Sequence, residues 1–543
     1  MNQAGKNWFY RDILKAGHAI LKHISFEYHI SLKLKIFLNS LIITLPALVQ
    51  FLFFEEPEYL LSFVLCFSFA SSAFLLTRAR LILTLPFVIL SFIYTVFLVI
   101  YKKSLGATSI MALMNTKTEI MFNFALSPKM IPQALLFIIV FALYFRFIIL
   151  KGKDDDREIL ITKNERYLPI TIMLATSVFF FFGYNYLIKA YPFSLSYDSS
   201  TYAKIISQMK ETSKKEYHFK GRVQAGFEEK KCTFILIVGE SARRASWGLY
   251  GRDRKTNAFL KKEIEEHPDN FILFKDYIAT AQTTYPALMD IFSVVTSKNF
   301  IDIPKNPSFV KIIKNIGYKT YFISTYTNIF LNFIDADENI IKSSTGDDTD
   351  LIPILKDVLI NKNTDKKLII MHLRGSHFAF SDYKYTYKDY IYPSGNEVKD
   401  KYANSILHTD ELLRTIARTA LAEEEPVCVW YMPDHGENLN DFNDGNYGHG
   451  CSGFTKYEIE LPSIMFFNDS FLKDNPKIKT VIENKGTTIS HSNVSHSVMG
   501  ICGVYPKEYK GKYDLSSPNF TYEEPYLIDV DLFPIRYSNA EIQ

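Results

Sequence analysis

Apolar residues follow two different patterns along this chain. Over the first third they run in long blocks broken by single polar residues. From about residue 229 they form short runs of strand length between helical patterns. The stretch 36–54 has only Asn39, Ser40, Thr44 and Gln50 among apolar residues, and four similar stretches follow at 59–76, 81–101, 131–150 and 168–188. Each approaches the ~20 residues that a helix needs to cross a bilayer, so the pattern predicts five transmembrane helices. Residues 1–35 are basic and lack a cleavable signal pattern.

The loops orient these helices. The N-terminal segment carries Lys6, Arg11, Lys15, Lys22, Lys33 and Lys35, whereas Glu55-Glu56-Pro57-Glu58 follows the first stretch. Arg78 and Arg80 lie in the second connection, and Lys151, Lys153, Arg157, Lys163 and Arg166 in the fourth. Against a mild counter-signal from Lys102, Lys103, Lys117 and Lys129 in the third, this bias places the N-terminus in the cytoplasm. Five crossings then put everything after residue 189 outside. The third connection, 102–130, is semi-apolar and too long for a turn. On a helix its Asn115 and Glu119 share a face, which spacing alone reads as a surface polar patch.

Residues 190–228 turn polar and basic, with Ile205, Ile206 and Met209 on a short amphipathic helix expected to lie on the membrane surface. Beyond them, 233–238, 320–324, 368–373, 427–432 and 463–467 read as strands, and 310–316 as a helix. Strands alternating with helices predict an α/β sandwich with a mostly parallel central sheet. The expected division is a five-helix transmembrane domain at 1–189, a membrane-surface linker at 190–228 and a catalytic domain at 229–543.

Composition narrows the function. Lys and Arg number 61 against 58 Asp and Glu, which gives no basic surplus for binding nucleic acid. The five cysteines form no CxxC zinc ribbon. Cys232 and Cys428 fall on expected core strands, where a small buried hydrophobe is the plain reading. Cys451 and Cys502 are left as a candidate pair.

Three strand ends carry the chemistry. They deliver Gly239-Glu240-Ser241, Arg374-Gly375-Ser376-His377 and Pro433-Asp434-His435-Gly436. Ligands of open α/β sheets gather beyond the carboxyl ends of strands. A lone carboxylate there is often a helix cap, and a lone histidine is usually just satisfied. Several carboxylates and imidazoles at one sheet edge suit a zinc-like divalent metal instead. His449 follows in Tyr447-Gly448-His449-Gly450, whose glycines permit close approach to a ligand. Such a metal lowers the pKa of a bound hydroxyl and makes a threonine nucleophilic. Thr280, Thr283 and Thr284 are candidates, and spacing does not choose among them.

Taken together, these motifs resemble the membrane-bound phosphoethanolamine transferases of Gram-negative envelopes, in the alkaline phosphatase/sulfatase superfamily. The matching pieces are ILIVGESARR at 235–244, LYGRDRKTN at 249–257, TYPALMDIFS at 284–293, MHLRGSH at 371–377, YANSILHTD at 402–410, PDHGEN at 433–438, GHG at 448–450 and LPSIMFFN at 461–468. They occur in the family's order over 229–504, and the five-helix part is similar too, including an Asn…Glu loop at Asn115 and Glu119. Two segments depart from the family: Ser344-Thr345-Gly346-Asp347-Asp348 lacks a cysteine, and 324–332 lacks the usual acceptor-side residues.

The resemblance implies zinc held by Glu240, Thr284, Asp434 and His435. It implies Thr284 as nucleophile, because its offset to Leu288 and to Phe292-Ser293 fits the family pattern without a gap. His377 and His449 match groups that hold the transferred phosphate or a second metal, and Asn115 and Glu119 match the loop near the donor head group. The implied reaction moves phosphoethanolamine from phosphatidylethanolamine, through a covalent threonine adduct, to lipid A or lipopolysaccharide core. The implied location is the inner membrane, multi-pass, with the catalytic domain in the periplasm. Phosphoglycerol transfer to a periplasmic glycan on the same fold is the alternative. A sulfatase would need a Cys/Ser-x-Pro-x-Arg setting, which is absent around Thr284.

Overall fold

The computed structural model describes residues 32–76, 85–101, 106–115, 135, 139, 167–251, 256–325, 331–342, 347–361, 364–377, 380, 394–443, 447–450 and 453–543. These divide into two units, one within 1–96 and 119–193, the other within 97–118 and 194–543.

The first unit is helical. Four of the five expected stretches coincide with α1 (Leu32–Phe54), α2 (Pro57–Leu76), α3 (Leu85–Tyr101) and, after α4 (Ala107–Asn115), which belongs to the second unit, α5 (Tyr167–Leu187). The expected span at 131–150 lies outside the described residues. Five crossings are not what these helices establish. Among the described residues, Ile36–Phe54 and Tyr167–Leu187 are long and apolar enough to cross a membrane, while Pro57–Ala73 and Phe87–Val99 are shorter apolar segments. Two polar residues of α1, Thr44 and Gln50, are buried and hydrogen-bonded. Thr44 Oγ1 donates to the Ser40 carbonyl at 2.7 Å, and Gln50 Oε1 accepts from the Tyr191 N–H at 2.8 Å. A polar group among apolar helices is tolerated when it is satisfied in this way.

The second unit is built on a seven-stranded sheet. Its strands in chain order are β1 (Cys232–Gly239), β2 (Phe271–Leu273), β3 (Lys319–Ser324), β4 (Glu338–Ile341), β5 (Lys366–His372), β6 (Val427–Pro433) and β7 (Ile464–Phe467). Their spatial order is β2-β7-β6-β1-β5-β3-β4. The pairs from β6 through β1, β5 and β3 to β4 are parallel, and β7 is antiparallel to both β6 and β2. The sheet is therefore mixed, with one strand against the rest.

β1 shows how the core forms. It is buried along its whole length, as a strand covered on both faces should be. Phe234, Leu236 and Val238 enter one hydrophobic cluster together with Ala287, Leu288 and Ile291 of α7 (Thr284–Phe292). Ile235 and Ile237 enter the other with Tyr402, Ile406 and Leu413 of α8 (Glu397–Leu421). Alternate side chains thus face opposite layers, the strand's period of two. On the α7 side, α9 (Val494–Cys502) completes the layer with Val498 and Met499.

The amphipathic segment is longer than its pattern suggests and faces inward. It forms α6 (Phe193–Lys214), Ile205 and Met209 join the core, and Thr212 Oγ1 donates to the Pro304 carbonyl at 2.8 Å. An apolar stripe reads the same whether a membrane or a protein core covers it.

Candidate active site

β1 lies between β5 and β6, and the carboxyl ends are level: Val238 pairs with His372, and Gly239 with Pro433. Glu240, Asp434 and His435 leave this edge and are all buried. Hydrogen bonds hold the two exits together. The Asp434 N–H donates to the Gly239 carbonyl at 3.1 Å, and the Ser241 N–H donates to Asp434 Oδ1 at 3.1 Å.

His435 has an assigned tautomer. Its Nδ1 lies 2.8 Å from the Gly436 carbonyl oxygen, which can only accept, so Nδ1 carries the proton. Nε2 then faces the site, 3.3 Å from Glu240 Oε1 and 3.4 Å from Asp434 Oδ2.

Thr284 is the first residue of α7. The residues from Pro286 to Phe292 are buried, which pins this helix. Thr284 Oγ1 donates to Glu240 Oε2 at 3.2 Å and lies 3.4 Å from His435 Nε2. The other threonines are placed differently. Thr280 is buried and its Oγ1 donates to Asp290 Oδ2 at 2.8 Å. Thr283 precedes the helix, and its Cγ2 packs on Gly450, where a Cβ would stand 2.5 Å away. Gly450 has φ of 69° as well, so a side chain is disfavoured there twice over.

His449 comes closer than the sequence suggests. Its ring centroid is 4.0 Å from that of His435. Nδ1 of His449 is 2.7 Å from Glu437 Oε2, which turns its Nε2 away from that carboxylate. Ligand atoms of Glu240, His435 and His449 all lie within 4.8 Å of one another. Sequence reasoning passed over Glu437, although PDHGEN places it two residues after His435. Arg243, from the ESARR motif, is buried, donates to the Glu437 carbonyl at 3.2 Å, and stacks over the Tyr457 ring at 4.9 Å. His377 lies on the loop after β5, half-buried, and its charge is felt by Glu240.

Charge in the cluster is divided unequally. Burial opposes ionisation of Glu240, but the bond and charge of His435 outweigh it and hold this carboxyl well below the ordinary range. Burial, and then the Glu240 charge, push Asp434 up to about 8. Burial works against a charged His435, yet the two carboxylates push it up to about 10.

These residues fit a divalent metal. Two carboxylates and an imidazole Nε2 converge, and Asp434 Oδ2 is buried with no hydrogen-bond partner. A buried carboxylate oxygen left open beside an imidazole is the environment a cation would satisfy.

Asn115 is the last residue of α4, which packs against α7; Glu119 lies outside the described residues. Cys451 also lies outside them, while Cys502 is a buried thiol beside Cys232.

The chain belongs to the sulfatase family, whose pattern matches residues 232–504. Among named relatives it is similar to phosphoethanolamine transferase EptC of Escherichia coli (strain K12), 24% identical over 339 residues. That match covers 56% of this chain and 58% of the relative, so the chain spans less than two thirds of that relative's length. Two solved structures share the fold. The C-terminal periplasmic domain of EcEptC from Escherichia coli, in complex with Zn, is 20% identical, covers 60% of this chain and 96% of that one, and gives a TM-score of 0.53. The integral membrane protein lipooligosaccharide phosphoethanolamine transferase A (EptA) from Neisseria meningitidis is 16% identical, covers 89% of this chain and 97% of that one, and gives 0.65.

Proposed function

We propose that this chain is a zinc-dependent phosphoethanolamine transferase of the inner membrane, with its catalytic domain in the periplasm. One observation carries the reading: Thr284 Oγ1, at the start of a helix, lies within 3.4 Å of both Glu240 and His435. The names of its relatives and the zinc complex of a domain with this fold support it.

Glu240, Asp434, His435 and Thr284 would hold the zinc, which supplies Lewis acidity that lowers the pKa of the threonine hydroxyl. Glu240 Oε2 accepts the hydroxyl hydrogen bond and so aims the Thr284 lone pairs into the site. Thr284 Oγ1 attacks the phosphorus of phosphatidylethanolamine. A P–O bond forms to threonine, the P–O bond to diacylglycerol breaks, and the glycerol oxygen leaves with a proton. An acceptor oxygen on lipid A or lipopolysaccharide core then displaces threonine. His377 and His449 hold the transferred phosphate, helped by the free N–H groups at the start of α7. Glu119 and Asn115 serve the ethanolamine ammonium. Membrane anchoring keeps enzyme and lipid donor in one leaflet, which raises their encounter rate.

The test is intact-protein mass after incubation with phosphatidylethanolamine. Wild type should gain one phosphoethanolamine and Thr284→Ala none. An adduct that persists in Thr284→Ala overturns the assignment.

A further inference from the structure

A buried histidine outside the reacting cluster joins its two halves. His491 stands in a short turn just ahead of α9 and is buried. The Thr280 N–H donates to His491 Nδ1 at 3.3 Å. Nδ1 is therefore unprotonated, and Nε2 carries the proton and donates it to the Pro433 carbonyl at 3.2 Å.

Both partners sit at critical places. Pro433 ends β6, and Asp434 and His435 come directly after it. Thr280 lies four residues before Thr284, and its hydroxyl anchors to Asp290 of α7 at 2.8 Å. Ser492, next to His491, donates to the same Asp290 oxygen at 2.8 Å. One imidazole thus bridges the strand end that delivers Asp434 and His435 to the segment and helix that deliver Thr284.

From this geometry we infer that His491 is a positioning residue that sets the spacing between Thr284 and the Asp434-His435 pair. The inference rests on the proposed transferase activity for what that spacing does. Without the ring, the Thr280 N–H and the Pro433 carbonyl lose their bridge, and the two deliveries are free to drift apart. Groups that orient ligands from behind typically change metal affinity or activity by about 10–100-fold when removed.

The experiment compares His491→Phe, His491→Gln and, as a control, His496→Gln, another buried histidine, on α9. Zinc affinity is read by chelator competition, adduct formation by mass, and stability by thermal melting. His491→Phe should lower zinc affinity and adduct rate by about 10–100-fold. His491→Gln, with a donor and an acceptor on one side chain, should recover most of both. His496→Gln should lose stability alone. Wild-type zinc affinity in His491→Phe, or equal impairment of the Phe and Gln variants, overturns the inference. Should His491→Phe fail to fold, His491→Asn, too short to reach both partners, takes its place against Gln with the same expected difference. Chelator competition does not depend on the adduct, so a wild type that forms none counts against the transferase reading and leaves the zinc comparison to decide.

Discussion

The hydroxyl of Thr284 donates to Glu240 Oε2 at 3.2 Å, joining the first turn of α7 to the end of β1. This bond brings a hydroxyl out of a helix and a carboxylate out of a strand to one point. Neither residue is unusual alone. Their meeting beside His435 Nε2 makes the hydroxyl a candidate nucleophile.

Thr280, by contrast, has a structural part. Asp290 is buried, and burial pushes its carboxyl up to about 7 despite donors from Ser492 and Thr280. Removing one donor leaves a buried acceptor less satisfied, at a cost of about 1–3 kcal/mol. Thr280→Ala should therefore unfold at lower urea yet still form the adduct. Unchanged stability would show that this bond contributes nothing.

Zinc uptake should release protons. Burial beside the charged Glu240 raises Asp434, and its acidic neighbours raise His435, so together the two hold protons at pH 7 when no metal is bound. Metal ligation requires carboxylate and neutral imidazole, so those protons must leave. Protons present before and absent after binding mean that affinity rises with pH across the range below about 8. Calorimetry in two buffers of different ionisation enthalpy measures the release. Affinity that stays flat from pH 6 to 8 would contradict this charge arrangement.

The strand ends were legible because a strand buried on both faces is a continuous apolar run, and the residues just past its carboxyl end land at the sheet edge. TFILIV and VCVWYM announce Glu240 and Asp434-His435 on that basis alone. The direction of β7 was not legible, since an apolar run says nothing about which way its strand points. The inward face of α6 was hidden for a related reason, because Ile205 and Met209 form the same stripe against lipid or protein. The choice among three threonines, the Glu437–His449 pair and the His491 bridge depend on partners distant in sequence. Only the folded sheet brings these together.

Membrane topology can be tested at α5. This helix is long and apolar enough to cross, and Phe181 and Phe182 are 79% and 82% exposed. Large apolar side chains in that setting call for lipid. Reporter fusions at about residues 160 and 215 should report opposite sides of the membrane. The same side for both would remove α5 from the spanning set.

The loop behind Glu240 leaves no room for a side chain at Gly375. That glycine has φ of 50°, and a Cβ there would stand 2.8 Å from both the backbone nitrogen and oxygen of Glu240. The loop has little freedom to retreat. Asp348 accepts from the Arg374 and Gly375 N–H groups at 2.9 Å each and from Thr325 Oγ1 at 2.7 Å. The Ser376 N–H donates to the Glu240 carbonyl at 2.9 Å. Gly375→Ala should therefore displace Glu240, costing about 1–3 kcal/mol of stability and lowering zinc affinity. Asp348→Ala removes the acceptor of the buried Gly375 N–H, while the Arg374 N–H keeps Thr325 Oγ1 at 3.1 Å, and it should destabilise on its own. It also frees the loop to move away from an added methyl group. Combined, the two changes should cost less than their sum, because the second relieves the strain of the first. Urea unfolding of the four species measures this coupling. Additivity within about 0.5 kcal/mol would mean that Asp348 does not clamp the loop against Glu240.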